Sequence, residues 1–274
     1  MTQVVLVTGA TDGLGKAVSV ELARAGATVL VHGRSRERAE AALAEIRDAS
    51  GSELLRAYAG DLASLAQVRS LGEAVAAEEP RLDVLVNNAG IGTVDPGGGS
   101  RVESADGHEF RFAVNYLAPF LLTEALEPLL VRSAPSRIVN VASAGQAPID
   151  FDDAMLLQEY DGSRAYSQSK LAMVMMTFDT AERLAGRGVS ATCLHPGTYM
   201  PTKMVLAAGV EPLDSLDSGV RATLRLIADP ELDGVTGRYF DRLEEARARP
   251  QAYDPDARAR LRELSERLVG IAAV

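Results

Sequence analysis

The sequence has 274 residues but only one cysteine, Cys193, three histidines and no tryptophan. A single thiol excludes an intrachain disulfide and any cysteine cage for a metal. His32, His108 and His195 stand far apart and in no metal-ligand spacing, so no metal site is expected. Positive charge is also scarce: 28 Lys and Arg stand against 38 Asp and Glu, a net charge of −10. Binding a polyphosphate backbone needs clustered Lys and Arg, so nucleic acid is not an expected partner. The arginine-rich stretches 34–38 and 242–262 are interleaved with acids and read as solvated faces. No apolar run approaches the ~18 residues of a membrane span. The apolar start of the chain is cut by Gly9 and Asp12 and has no basic region before it, unlike a signal peptide. The expected setting is a reducing cytoplasm.

What the sequence does have is alternation. Short β-branched runs at 3–8, 28–32, 53–59, 82–86, 137–142, 189–194 and 237–240 predict strands. Several are apolar at nearly every position, as strands buried on both faces are. Between them, 13–25, 36–49, 65–78, 107–132, 164–185 and 215–228 carry apolar residues at helical spacing. Strand–helix repetition of this kind predicts an α/β fold: a Rossmann-like, doubly wound parallel sheet of about seven strands with helices on both faces. No linker or repeat divides the chain, so 1–274 reads as one domain. Two loops interrupt it, a flexible glycine-rich one at 95–100 and a Met- and Leu-rich one at 200–216. An amphipathic helix is expected at 255–270, opened by Asp254-Pro255.

The first turn carries a ligand signature. Thr8-Gly9-Ala10-Thr11-Asp12-Gly13-Leu14-Gly15 follows the first strand and opens the first helix. Glycines let backbone approach a pyrophosphate, and the helix N-terminus offers free N–H groups to it. A P-loop does not fit, because five residues separate Gly9 from Gly15 and Ala17 follows Lys16. A tight turn without ligand is the bland alternative. The end of the second strand bears on the cofactor. NAD-preferring folds carry an acid there for the ribose 2′-OH. Here the run is His32-Gly33-Arg34-Ser35-Arg36, and Arg34 matches a 2′-phosphate. NADP(H) is therefore favoured over NAD(H). The alternative is that Arg34 and Arg36 merely start a solvated helix, and Asp12 is not the basic residue that would strengthen the reading.

Tyr166-Ser-Gln-Ser-Lys170 puts a phenol and an ammonium on one helix face. A phenol titrates near pH 10 unperturbed, and lowering that by two units takes about 2.7 kcal/mol, within reach of a close charge in a partly dry cleft. A tuned tyrosine can then exchange a proton with a carbonyl oxygen.

With the glycine loop, Asp61-Leu62, Asn87-Asn88-Ala89-Gly90, Val114-Asn115-Tyr116, Ser143, Tyr166-x-x-x-Lys170 and Pro196-Gly197 in order, the chain resembles the short-chain dehydrogenase/reductase family over about residues 3–240. The runs 134–141, 165–172 and 195–197 are similar to its retinol-dehydrogenase-like branch. So is the wide spacing of Ser143 and Tyr166, 23 positions apart.

The resemblance implies Tyr166 as general acid/base, Lys170 lowering its pKa and holding the nicotinamide ribose, Ser143 on the substrate oxygen, and Asn115 holding a relay water. It implies a cofactor site of Gly9, Thr11, Asp12, Gly13, Leu14, Gly15, Arg34, Asp61, Leu62, Asn88, Ala89, Gly90, Tyr166, Lys170, Pro196, Gly197, Thr198 and Tyr199. The family's amide-contacting threonine could be Thr198 or Thr202. His195 stands outside the pattern and reads as structural, and Met173, Met175 and Met176 read as core or dimer contacts. Pairing through the helices that hold Asn115 and Tyr166 implies a homodimer or homotetramer.

The expected activity is hydride transfer between NADP(H) and the carbonyl or secondary alcohol of a small molecule. Segments 146–162 and 200–216 are expected to cover the substrate. Phe151, Met155, Leu156, Met200, Met204, Val205 and Leu206 make them apolar, which favours a lipophilic substrate. A catalytically silent NADP(H)-binding regulator is the alternative, because a fold does not compel activity.

Overall fold

A computed structural model describes residues 3–94, 97 and 100–271. Strands β1 (Val4–Val7), β2 (Thr28–Gly33), β3 (Leu55–Ala59), β4 (Val84–Asn87), β5 (Ser136–Val141), β6 (Val189–His195), β7 (Arg238–Asp241) and β8 (Glu244–Ala246) form one sheet in the order β3-β2-β1-β4-β5-β6-β7-β8. The first seven are parallel, and β8 folds back antiparallel on β7. The extra strand leaves no mark in the sequence because it is three residues long and mostly polar. The strands β1, β2 and β4 are buried throughout, as sequences covered on both faces must be.

Alternate strand residues feed two cores. Leu6, Leu30, Leu85 and Ile138 face the layer of α3 (Leu65–Glu78), α5 (Ala118–Arg132) and α6 (Gly162–Arg183). Val5, Val29, Val84 and Val139 face α1 (Gly13–Arg24), α2 (Arg36–Ser50) and α8 (Leu216–Ala228). Asp12, Ser35 and Ser64 cap α1, α2 and α3 through side-chain oxygens, and Gly51 ends α2 in the left-handed region. The order in which strands are added reverses between β1 and β4, the switch point where open α/β sheets bind ligands at their carboxyl ends.

The helix expected at 107–132 is not uniform. A short α4 (Phe110–Phe112) passes through a π turn at Ala113–Leu117 into α5. By length and composition, 110–132 could cross a membrane, although most of it is buried inside the fold as a core helix. The segment at 200–216 is not wholly loop, since α7 spans Lys203–Ala207. Most of the glycine-rich stretch expected at 95–100 lies outside the described residues.

The last helix, α9 (Pro255–Val269), is capped by Asp254 and stopped by Gly270. It lies across the π turn, α5 and α6. The Tyr116 hydroxyl meets Ser265 Oγ at 2.6 Å, Arg262 bridges Glu124 and Asp179, and Arg258 pairs with Glu182. The outer faces of α5 and α6 around Phe120 and Met176 are thus covered within the chain, and pairing of two copies there must displace α9. Leu261 is 2% exposed beside Phe120, Met175 and Met176. Leu261→Ala is expected to cost about 3 kcal/mol, read from denaturant midpoints. Ending the chain at Asp254 is expected to turn this face into a self-association surface, read by light scattering.

Candidate active site

The loop after β1 is held from β4. Thr8 Oγ1 accepts the N–H groups of Asn88 and Ala89, both at 3.0 Å. The Asn88 amide donates to the Thr8 carbonyl at 2.8 Å. Gly9 sits at φ +65°, and a side chain on it would begin 2.8 Å from Ala89 Cα. A Cβ on Gly15 would strike the Gly9 carbonyl and the Asn88 amide. Both glycines are therefore required by geometry. The result is a shallow backbone cradle at the N-terminus of a twelve-residue helix, the arrangement that accepts a diphosphate.

Two side chains here do other work than expected. The Asp12 carboxylate caps Gly13 N–H at 2.7 Å and pairs with Lys203 at 2.7 Å, so both oxygens are engaged within the chain. Leu14 points into the core, which leaves only its backbone for a ligand.

At the end of β2, Arg34 is exposed and makes no ion pair among the described residues. No carboxylate stands in the His32–Ser35 run. Across the crevice, Asp61 Oδ1 accepts the Ala63 N–H at 3.0 Å, and Leu62 is buried. The cradle and the unpaired guanidinium suit a dinucleotide with a 2′-phosphate. Nearby, the buried His32 ring meets Gly9 N–H at 3.1 Å through Nδ1 and the Gly60 carbonyl at 2.9 Å through Nε2.

The groups expected to act on substrate come together from three elements. Ser143 follows β5, Tyr166 and Lys170 lie on α6, and Asn115 lies in the π turn. The Cβ position of Gly145 is 3.5 Å from Ser143 Oγ and 3.8 Å from the Tyr166 ring, so those two side chains converge. Lys170 Nζ is 5.8 Å from the centre of the Tyr166 ring, and it lies 3.4 Å from the Cβ position of Gly90, at the floor of the crevice. Ser143 Oγ accepts the Gly145 N–H at 3.0 Å, which leaves its own proton to donate. Its carbonyl is fixed by Gln146 and Tyr239.

The electrostatics differ from expectation. The Lys170 ammonium donates to the Val141 carbonyl at 2.9 Å, and burial pushes its pKa down to about 8. Burial raises the Tyr166 phenol above its ordinary value, the Ser143 hydroxyl opposing this. Burial is thus the largest influence on the phenol, and the Lys170 ammonium is bonded to the Val141 carbonyl rather than to the Tyr166 hydroxyl. Asn115 also does more than expected. Its amide accepts the Ile91 N–H at 2.8 Å and donates to the Ile91 carbonyl and Ser169 Oγ. Its side chain ties the strand β4 exit to α6, and the π turn is what aims it there.

The turn 196–199 is clasped at its far side. Asp214 accepts the Thr198 N–H at 2.6 Å and pairs with Arg242 at 2.6 Å, while His195 Nε2 meets Thr198 Oγ1 at 3.0 Å. Thr198 is thus taken up by this network. The Thr202 methyl packs 3.1 Å from the Cβ position of Gly13. Tyr199, at φ +48°, is half exposed and near enough to Tyr166 to raise its pKa further.

Of the apolar residues expected around substrate, Leu156 and Met200 are buried, and Phe151 and Met155 pack on the core. Met204, Leu206, Leu213 and Leu157 are the exposed large apolar groups on those segments, and Tyr199 is exposed just before the second. Arg111 stands out only in the folded chain. It is fully buried and donates to the carbonyls of Gly92 and Thr93 and to Tyr160, tying the segment before α6 to the β4 exit. An arginine on a helix reads as solvated until the fold is known.

A family model described as short chain dehydrogenase matches residues 3–210. Human retinol dehydrogenase 14 is 40% identical over an alignment covering 97% of this chain and 86% of that protein. Mouse retinol dehydrogenase 13 is 38% identical, covering 98% and 84%. The crystal structure of an uncharacterized protein from Mycobacterium paratuberculosis is similar with a TM-score of 0.79 at 30% identity, covering 98% of this chain and 93% of that one. The Pseudomonas aeruginosa RhlG/NADP active-site complex is similar with a TM-score of 0.70 at 26% identity, covering 87% and 94%.

Proposed function

The chain belongs to the short chain dehydrogenase family of oxidoreductases acting on CH–OH groups, and from that premise we propose that it uses NADP(H) on the carbonyl or secondary alcohol of a lipophilic small molecule. The observation that carries the reading is the convergence of Ser143, Tyr166 and Lys170 beside the Gly9–Gly15 cradle. The nicotinamide cofactor, when bound, supplies or accepts the hydride. Gly9, Gly13 and Gly15 would hold its diphosphate by backbone, Arg34 its 2′-phosphate, Asp61 its adenine end and Lys170 its nicotinamide ribose.

The chain's own residues handle the oxygen. Ser143 Oγ, which accepts the Gly145 N–H, would donate a hydrogen bond to the substrate oxygen while keeping its proton. Tyr166, protonated at neutral pH because burial raises its pKa, gives its proton to that oxygen in reduction and takes it back in oxidation. The lipophilic substrate class is supported by the exposed Met204, Leu206 and Leu213 on the 200–216 segment and Leu157 on the 146–162 segment. It is also supported by the retinol dehydrogenases to which the chain is similar. The same reading includes a homodimer or homotetramer, with pairing through the α5 and α6 face requiring that α9 move away.

Absorbance at 340 nm with NADPH and a panel of apolar ketones and aldehydes tests the reading. Tight NADPH binding with no turnover on any of them would favour a silent regulator instead. Arg34→Ala is expected to lower kcat/KM with NADPH by about 10- to 100-fold and to leave NADH turnover within about twofold, since charge-assisted bonds to a phosphate are worth roughly 1.5–3 kcal/mol. Equal losses with both cofactors would remove Arg34 from the 2′-phosphate site.

A further inference from the structure

His32 lies at the carboxyl end of β2 with only 2% of its surface exposed. It is on the same sheet face as Leu30, and Tyr58 is its register partner on β3. Its two ring nitrogens make different bonds. Nδ1 receives the Gly9 N–H at 3.1 Å, so it carries no proton. Nε2 meets the Gly60 carbonyl at 2.9 Å, so it carries the ring's one proton. The ring is therefore the neutral Nε2–H tautomer, wedged between the first residue of the glycine loop and the end of β3.

We propose that neutral His32 is a positioning residue for the dinucleotide: it fixes the Gly9 amide, and through it the cradle, so that cofactor binding depends on Nδ1 staying unprotonated. The inference rests on the reading of this crevice as a nicotinamide-cofactor site and adds a residue to it. Gly9 is pinned from both sides. Ala89 backs its Cα and Asn88 holds its carbonyl, so the imidazole supplies the remaining restraint, on its N–H. A proton on Nδ1 would set donor against donor and release that amide. Burial lowers the His32 pKa, which keeps the ring neutral through physiological pH.

The titratable groups around the ring are few. Asp61, at the β3 exit, favours protonation. The Tyr58 hydroxyl is turned away to Glu79, and Asp12, further along the loop, is paired with Lys203. Residues Gly9, Ala10 and Thr11, between the ring and α1, are uncharged.

Two amide variants separate the two bonds. In His32→Asn, Oδ1 falls where Nδ1 was and can accept the Gly9 N–H. In His32→Gln, the amide reaches the Nε2 position and can serve only the Gly60 carbonyl. Calorimetric titration of the full chain with NADP+ at pH 7.5 is expected to give His32→Asn a Kd within about threefold of wild type. His32→Gln and His32→Ala are expected to be at least tenfold weaker, with cofactor KM raised and kcat changed less than twofold. Imidazole 15N shifts of the cofactor-free protein at pH 7.5 should report the Nε2–H tautomer for His32. A wild-type Kd in His32→Gln, a tenfold loss in His32→Asn, or an Nδ1–H tautomer would overturn the proposal. If wild type binds neither NADP+ nor NAD+, the functional reading itself fails and this inference goes with it. If wild type binds and the variants do not differ, only the role of His32 fails.

Discussion

Tyr166→Phe is expected to lower kcat for carbonyl reduction by at least 10³-fold while NADPH binds within about threefold of wild type. The size follows from what else could move the proton. General acid–base groups contribute typically 10²- to 10⁴-fold, and the loss sits in the upper part of that range only where no neighbour can substitute. Here the neighbours are committed. Asn115 is bonded to Ile91 and Ser169, and Lys170 to the Val141 carbonyl. Ser143 can donate a hydrogen bond but keeps its proton on its own oxygen, since a serine hydroxyl is far less acidic than a phenol. Phenylalanine keeps the ring that packs in the crevice, so binding should persist. The pH dependence follows from the raised pKa of Tyr166. The phenol is protonated through neutral pH, so reduction should be level between about pH 6 and 8, and oxidation should climb with rising pH as phenolate forms. Retention of more than a tenth of wild-type kcat by the phenylalanine variant would remove Tyr166 from the reaction.

The chain's elements were legible because burial on both faces leaves a mark in the sequence. Val4–Val7, Thr28–Gly33 and Val189–His195 fall within a residue or two of the runs that predicted them, as do the helices capped by Asp12, Ser35 and Ser64. β8 was not legible, because three residues on an edge, two of them glutamates, carry no periodicity. The π turn was not legible either: Ala113–Leu117 is as apolar as the α-helix around it, and only hydrogen-bond register distinguishes them. In the site, the types and order of Ser143, Tyr166 and Lys170 could be read, but the bonds each one makes could not. Whether the Lys170 ammonium faces a phenol or the Val141 carbonyl is decided by the rotamer of a long side chain, which sequence spacing does not specify. The same holds for the Asp12 carboxylate, whose partner Lys203 is 191 positions away. His32 carried a faint signal, a polar residue closing an apolar strand at the sheet's ligand-binding end. It became meaningful only when Gly9 and Gly60 were seen on either side of it.

Lys170→Met is expected to abolish turnover and yet stabilise the cofactor-free protein at neutral pH. Lys170 is 4% exposed, and among the described residues its ammonium bonds only to a neutral carbonyl. Burial moves its pKa from 10.5 to about 8. A folded-state value below the unfolded one means that the unfolded chain binds more protons between about pH 8 and 10.5, so stability rises with pH across that window. Below pH 8 the lysine is charged in both states and its burial opposes folding by about 3 kcal/mol, because each tenfold loss of proton affinity costs about 1.4 kcal/mol. Methionine has nearly the same length and no charge to desolvate. Against that gain stands the loss of the donor to Val141, worth about 1–2 kcal/mol. The net expectation is a more stable variant by about 1–2 kcal/mol at pH 7, or a melting temperature higher by roughly 2–6 °C for a domain of this size. Denaturant titrations at pH 7 and pH 10 check the sign. The advantage of the variant should shrink at the higher pH, where wild-type Lys170 is already neutral. An advantage that grows with pH, or a variant less stable at pH 7, would mean that the ammonium is satisfied where it lies. In that event its position, poised against Gly90 and the Tyr166 ring, could not be read as charge held ready for a ligand at the expense of stability.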